Sequence, residues 1–164
     1  MKKIILAGAA LAALASVSAA HADSVNGASA TGTAAVTIYT PVTVTQTQGL
    51  DFGTITSGAN GSVAIDANSG ARAVAGGVGA VAANVGKQGT FAVTGQSNAA
   101  INVVVGSSIT GFAGGITGST SPSSLPTVLN GTSATFAVGG KLSIPANTVA
   151  GAYSGTYTVA VNYP

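Results

Sequence analysis

The stretch Ala152-Tyr-Ser-Gly-Thr-Tyr-Thr-Val-Ala-Val-Asn-Tyr163 alternates between two kinds of side chain. The larger, mostly apolar phase consists of Tyr153, Gly155, Tyr157, Val159, Val161 and Tyr163. The other phase consists of Ala152, Ser154, Thr156, Thr158, Ala160 and Asn162. Period-two alternation predicts a β-strand with one face on a core, here about twice the usual strand length. Such a strand needs a partner along its whole length, and we expect a segment from elsewhere to cover it, because no later segment follows in this sequence.

The first residues predict export. Met1-Lys-Lys is followed by the apolar run 4–15 and by Ala20-His-Ala22, which are the charged region, hydrophobic region and small-residue cleavage site of a secretory signal peptide. The run is too short to remain as a membrane anchor. We therefore expect a signal peptide at residues 1–22, secretion across the inner membrane, and no integral membrane span after cleavage. An N-terminal extension at residues 23–40 and a domain at residues 41–164 would remain.

The charged residues exclude several classes of function. After cleavage, Lys87, Lys141 and Arg72 balance Asp23, Asp51 and Asp66, so the net charge is zero and nucleic acid is a poor partner. The sequence has no Cys and no Glu, and its single His lies in the signal peptide. General acid–base catalysis and metal binding depend on these residue types. We therefore expect a non-enzymatic protein without catalytic residues, cofactor or metal.

Short alternating segments separated by turn signals indicate an all-β sandwich. The predicted strands are residues 28–38, 42–47, 50–56, 62–66, 89–94, 100–105, 124–129, 133–138, 141–144 and 152–163. Gly139-Gly140 predicts a hairpin between two of them, and Asn130-Gly131 predicts another tight turn. Residues 107–123 are expected to form a flexible loop. In Leu50-Asp-Phe-Gly53, we expect a glycine bulge with a local hydrogen bond to the side chain of Asp51.

A second alternating stretch lies near the N-terminus, and we call residues 28–38 the ribbon. Its more apolar phase consists of Ala28, Ala30, Gly32, Ala34, Val36 and Ile38. Threonine and serine fill most of the other phase, and Pro41 interrupts the pattern because proline cannot donate to a strand ladder. Two interpretations stay open at this point. The ribbon is either the first strand of its own domain or a detachable donor strand that completes the sheet of a neighbouring molecule.

Several motifs in order resemble a known family. They are Pro41-Val-Thr-Val-Thr, Leu50-Asp-Phe-Gly-Thr-Ile55, Phe91-Ala-Val-Thr-Gly95, Thr135-Phe-Ala-Val-Gly-Gly-Lys-Leu142 and Gly151-Ala-Tyr-Ser-Gly-Thr-Tyr-Thr-Val-Ala-Val-Asn-Tyr163. The family comprises small secreted bacterial β-domains of unknown function and is similar to spore-coat-protein-U-like proteins and archaic chaperone–usher pilins. The resemblance implies an incomplete immunoglobulin-like, pilin-like sandwich with an extended N-terminal strand and a long C-terminal strand. It also implies passage through the periplasm to a cell-surface or extracellular fibre, with a periplasmic chaperone and an outer-membrane usher as partners.

Together these observations favour a structural subunit of a fimbria-like fibre with a role in attachment or biofilm. The ribbon would be donated to another copy or to a related pilin subunit, into a groove or chaperone-facing strand that carries Tyr153, Tyr157, Val159, Val161 and Tyr163. One alternative is a monomeric adhesin or glycan-binding β-sandwich, although most aromatic residues fall on phases predicted to face the core. A matrix or surface-coat protein without an ordered donor strand is a weaker alternative.

Overall fold

The computed structural model describes residues 27–164, so the predicted signal peptide at residues 1–22 and the start of the N-terminal extension lie outside the described residues. Thr37–Pro164 forms one compact unit, and residues 27–36 are described separately. The described residues contain strands and no helix, which confirms the all-β prediction. The strands are β1 (Thr43–Gln48), β2 (Ile55–Ile65), β3 (Arg72–Ala80), β4 (Gly89–Thr94), β5 (Asn102–Val105), β6 (Ser108–Ile109), β7 (Thr117–Pro122), β8 (Ser133–Ile144) and β9 (Val159–Asn162).

The strands form two open antiparallel sheets. The larger sheet has the order β1-β4-β8-β2-β3, with β7 also paired to β8 and the short β6 paired to β7. The smaller sheet pairs β5 with β9. One buried cluster takes residues from both sheets, which is consistent with a β-sandwich. That cluster is Phe91, Val93, Ile101, Val103, Leu129, Phe136 and Val138.

Strand β8 organises the larger sheet because it changes partner halfway along. Its residues 133–138 pair with β4, and its residues 140–144 pair with β2. The sequence-based prediction of a hairpin at Gly139-Gly140 is wrong, since both glycines lie inside the continuous β8. The physical reason is close approach: a Cβ on Gly139 would collide with the backbone carbonyl of Ile65 and lie 2.6 Å from the amide nitrogen of Ala67. Here glycine serves packing between backbones rather than a turn.

Other local predictions had mixed outcomes. The turn at Asn130-Gly131 is confirmed, because Asn130 bridges to Ser133 and Gly131 has a φ of 65°. The prediction of a flexible loop at residues 107–123 is wrong, since this segment contains β6 and β7. The predicted strand at residues 124–129 is reduced to a single bridge at Val128. Polar Ser and Thr residues of β7 form a ladder with β8, and composition alone does not reveal that pairing.

The predicted extended N-terminal strand is also wrong for the described residues. Residues 27–42 contain no helix or strand, and β1 begins at Thr43. The alternation of the ribbon therefore has no hydrogen-bonded ladder in this structure. A strand requires a neighbour as well as a suitable pattern, because its backbone N–H and C=O groups pair with those of an adjacent strand rather than within one segment.

Candidate functional site

The C-terminal segment, residues 152–163, alternates in burial as its sequence predicts. Every odd-numbered residue from Tyr153 to Tyr163 is partly buried, and every even-numbered residue from Ala152 to Asn162 is exposed. Tyr157, Val159, Val161 and Tyr163 pack against the core cluster shared by the two sheets. The predicted core-facing phase is confirmed, but the predicted twelve-residue strand is too long, since β9 covers only Val159–Asn162.

One edge of the C-terminal segment is paired. Strand β9 pairs with β5, and farther back the amide of Gly106 donates to the carbonyl of Thr158 at 2.9 Å. Thr110 and Thr156 exchange backbone hydrogen bonds of 2.9 and 2.7 Å. The N–H and C=O groups of the even-numbered residues from Thr156 to Asn162 therefore point toward β5 and the end of β6.

The other edge of the segment is open. In an extended chain, the backbone groups of successive residues point to opposite edges. The N–H and C=O groups of Tyr157, Val159 and Val161 consequently point away from β5. Within residues 27–164, no backbone hydrogen bond joins these three residues to another strand. The segment thus combines a core-facing aromatic and aliphatic stripe with a row of unpaired backbone groups, which together form one wall of a groove.

A cavity of about 580 Å³ occupies one end of this groove. Residues 50–55 line one side, residues 151–155 with Tyr157 line the other, and Ile109, Phe112, Ile116, Leu142 and Ile144 complete the lining. Four of those five residues belong to the second buried cluster of the domain, and Phe112 packs against it. The cavity is therefore lined mainly by aliphatic and aromatic side chains.

Polar side chains are a minority in the lining of the cavity. The carboxylate of Asp51 accepts a hydrogen bond from the amide of Gly53 at 2.7 Å, and Gly53 has a φ of 74°. This confirms the predicted local hydrogen bond of Asp51. The carboxylate therefore stabilises the local backbone conformation. The hydroxyl of Tyr157 is buried without a hydrogen-bond partner in the described part of the chain. Burial raises the pKa of Tyr157, and the nearby side chain of Gln46 offsets only part of that rise.

The far end of the C-terminal segment anchors the junction between ribbon and domain. The amide of Gln96 donates to the hydroxyl of Tyr163, and that hydroxyl donates to the carbonyl of Thr40, both at 2.7 Å. The amide of Thr40 donates to the side-chain oxygen of Gln96 at 3.3 Å. The ring of Tyr39 packs edge-to-face on Tyr163 at 5.4 Å. Sequence alternation placed Tyr163 in the groove, but its hydroxyl also fixes the point where the ribbon leaves the domain.

A family model matches residues 42–163, from the residue before β1 to Tyr163 at the end of the C-terminal segment. Its description is Domain of unknown function (DUF4402). The chain belongs to the DUF4402 family. Neither the curated proteins nor the solved structures contain a match to the chain. The match includes the groove, the cavity and Tyr163, whereas the ribbon lies N-terminal to the DUF4402 domain.

The ribbon itself is exposed. All six residues of its predicted donor phase, from Ala28 to Ile38, are accessible to solvent. Val36 and Ile38 are 83% and 84% exposed, so two aliphatic side chains lack cover. No helix of the described residues is long and apolar enough to cross a membrane. The structure therefore brings together the residues predicted for the groove and leaves the residues predicted for the donor strand exposed.

Replacing Tyr163 with phenylalanine should loosen the junction. The Tyr163→Phe variant loses the hydrogen bonds to Gln96 and Thr40, and we expect the free energy of unfolding to fall by about 1–2 kcal/mol. Urea denaturation monitored by circular dichroism measures this change in the free energy of unfolding. Tyr39→Phe is the matched control, because the Tyr39 hydroxyl makes no hydrogen bond within residues 27–164, and its expected change is within about 0.5 kcal/mol. Equal destabilisation by both substitutions would contradict this role for the Tyr163 hydroxyl.

Proposed function

We propose that the protein is a non-enzymatic structural subunit of a secreted or cell-surface fibre. In this proposal, the ribbon of one molecule enters the groove beside the C-terminal segment of another copy and pairs with its open edge. The observation that carries the proposal is the coincidence of unpaired backbone groups with an apolar cavity along one groove.

Within residues 27–164, the strand order supports an immunoglobulin-like sandwich that lacks its last strand. An immunoglobulin domain of the constant type has sheets of order A-B-E-D and C-F-G. Here the strand orders β1-β4-β8-β7 and β5-β9 correspond to A-B-E-D and C-F. The absent G strand would lie beside β9, at the open edge. The hairpin of β2 and β3 is then an addition between A and B.

A peptide strand is the occupant that this groove favours. Strand addition satisfies free N–H and C=O groups, while alternate side chains of the added strand enter the core. The ribbon offers apolar residues at every second position, and Val36 and Ile38 are exposed in the structure. Fibres form when such an exchange is head-to-tail, because each molecule then both donates and accepts.

The resemblance to pilins adds an export route and a place of assembly to the proposal. It supports a route through the periplasm, with a chaperone that covers the groove and an outer-membrane usher that assembles subunits. The resulting surface fibre would serve attachment or biofilm formation. Homologous pilin subunits, as well as copies of this chain, are candidate donors.

Removal of the ribbon tests the proposal directly. We expect residues 23–164 to form oligomers on size-exclusion chromatography, and residues 39–164 to remain monomeric. A synthetic peptide of residues 27–40 should bind the shortened protein and raise its unfolding temperature, because ligands stabilise the state that they bind. A peptide with aspartate at positions 34, 36 and 38 is the control and should not bind. A monomeric full-length protein, unchanged by deletion of the ribbon, would contradict the proposal.

A further inference from the structure

Lys141 is a charged residue in the interior of the larger sheet. It lies in β8, where Ala64 of β2 and Ser119 of β7 are its partners on either side. Lysine is depleted in strands, and where it protects a sheet against aggregation it lies on an edge strand. Strand β8 is paired along both edges at this position, so protection of an edge does not explain Lys141.

An ion pair does not explain Lys141 either. Within residues 27–164, the acidic side chains are Asp51 and Asp66. The carboxylate of Asp51 accepts the hydrogen bond from Gly53 already described. The carboxylate of Asp66 accepts a hydrogen bond of 2.8 Å from the amide of Ser69 and so belongs to the turn after β2. The exposed ammonium group of Lys141 is therefore unpaired in the described part of the chain.

Hydroxyl groups lie beside Lys141 on the same face of the sheet. Side chains of β8 alternate, so the buried Leu142 and Ile144 face the core while Lys141 and Ser143 face outward. Ser62 of β2 lies opposite Ser143. Opposed residues of neighbouring antiparallel strands have Cβ atoms about 4.5–5.5 Å apart. Two paired strands therefore fix these hydroxyl groups close to the ammonium group.

These side chains line an open depression of about 570 Å³ on the outer face of the sheet. Small-ligand sites have volumes of about 300–1,000 Å³. The side-chain oxygen of Asn60, at the rim, accepts a hydrogen bond from the amide of Ala146 at 2.6 Å, so the two N–H donors of that side chain remain for a ligand. The outer depression, as we call it, is lined by Asn60, Ser62, Ala75, Lys141, Ser143 and Pro145.

We infer that the outer depression binds an acidic polysaccharide, with an anionic group of one sugar unit on the ammonium group of Lys141. The amide of Asn60 and the hydroxyl of Ser143 are placed to bind neutral hydroxyl groups of the same sugar, and Pro145 offers an apolar surface to its ring. Nucleic acids and anionic membranes attract several cations together. Lys141 is the one cation among the described residues of the lining, which suits a polymer with about one charge per sugar.

The outer depression is separate from the groove. Leu142 lines the cavity of the groove, whereas its neighbours Lys141 and Ser143 face the other side of the sheet. The site lies entirely within the compact unit Thr37–Pro164 and does not depend on assembly. In a fibre it would be repeated once per subunit, and linked sites raise the avidity for a long polymer without any new contact.

Titration calorimetry of residues 23–164 with short oligosaccharides tests the inference. The first ligand is an oligogalacturonate, and its fully methyl-esterified form is the matched control, because esterification removes the charge and keeps the sugar rings. We expect the ester to bind at least roughly tenfold more weakly, since hydrogen bonds to charged groups are the stronger ones. A sulfated galactan oligosaccharide is the third ligand, and the tighter of the two acidic ligands identifies the anionic group.

Two lysine variants locate the binding. Lys141→Gln should bind the acidic oligosaccharide at least roughly tenfold more weakly than the unmodified chain. Lys87→Gln removes the same charge from an exposed residue outside the outer depression, and we expect a change of no more than about twofold. Both variants should keep the urea midpoint of the unmodified chain.

Three results would overturn the inference. They are equal weakening by the two lysine variants, equal binding of the oligogalacturonate and its methyl ester, and no binding of either acidic oligosaccharide. Because calorimetry reports binding per subunit, monomeric and assembled protein serve the test equally well, and a failure of the proposed fibre is detected separately by size-exclusion chromatography.

Discussion

Ile38→Asp is expected to abolish self-association without unfolding the domain. Ile38 is 84% exposed in its own molecule, so the substitution removes little packing there. If the ribbon of one molecule enters the groove of another, as proposed, we expect position 38 to reach the apolar cavity of that groove, which is lined by Phe52, Phe112 and Tyr153. An unpaired charge in such surroundings costs about 3–5 kcal/mol, which corresponds to at least roughly a hundredfold weaker association. Sedimentation velocity over a range of protein concentrations measures the association.

Thr37→Asp is the matched control for this prediction. Thr37 is adjacent to Ile38 but belongs to the opposite phase of the ribbon, which would face solvent in the proposed assembly. The same charge at this position would remain in solvent, and we expect association to change by no more than a few fold, since exposed charges contribute little. Both variants should keep the urea midpoint of the unmodified chain. Equal loss of association in both variants would show that charge rather than burial is responsible, and unchanged association in Ile38→Asp would contradict the role of the cavity.

The sequence predicted which side chains of the C-terminal segment face the core, and it did not predict where that segment is paired. Alternation reports the two faces of an extended chain, so the burial of Tyr153, Tyr157 and Val161 follows from it. The backbone hydrogen bonds of a strand lie in the plane of the sheet, perpendicular to the side chains, and depend on which strand lies alongside. For this reason the regular strand is confined to Val159–Asn162, while the ribbon has a strand-like pattern and no strand.

Contacts between residues far apart in the chain also could not be predicted from the sequence. The hydroxyl of Tyr163 meets Thr40 across 123 positions of the chain, and no local pattern indicates that pairing. The cavity likewise combines residues 50–55 with residues 151–155, and only the fold brings them together. Asp51 shows the opposite case, because its bond to Gly53 spans two residues and was predictable from local turn chemistry.

Gly139→Ala is expected to destabilise the domain strongly, although it adds only one methyl group. That methyl would collide with the carbonyl oxygen of Ile65 and lie 2.6 Å from the amide nitrogen of Ala67, both backbone atoms that no side-chain rotation can move. Strand β8 would have to separate from β2 at the point where it leaves β4. Overpacking of a core costs about 1–3 kcal/mol and occasionally more, and we expect the upper end or beyond because backbone must shift.

Gly58→Ala supplies the comparison that isolates this effect. Gly58 also lies within a β-strand, in β2, but a Cβ there would meet nothing within 4 Å. The added methyl group should change the free energy of unfolding by less than about 1 kcal/mol, and in the stabilising direction if it acts by restricting the unfolded chain. Thermal and urea denaturation of the two variants, monitored by circular dichroism, measure the difference in their free energies of unfolding. Similar midpoints for Gly139→Ala and Gly58→Ala would mean that β8 tolerates a side chain at residue 139, and the close approach of β8 to the end of β2 would then not explain the glycine.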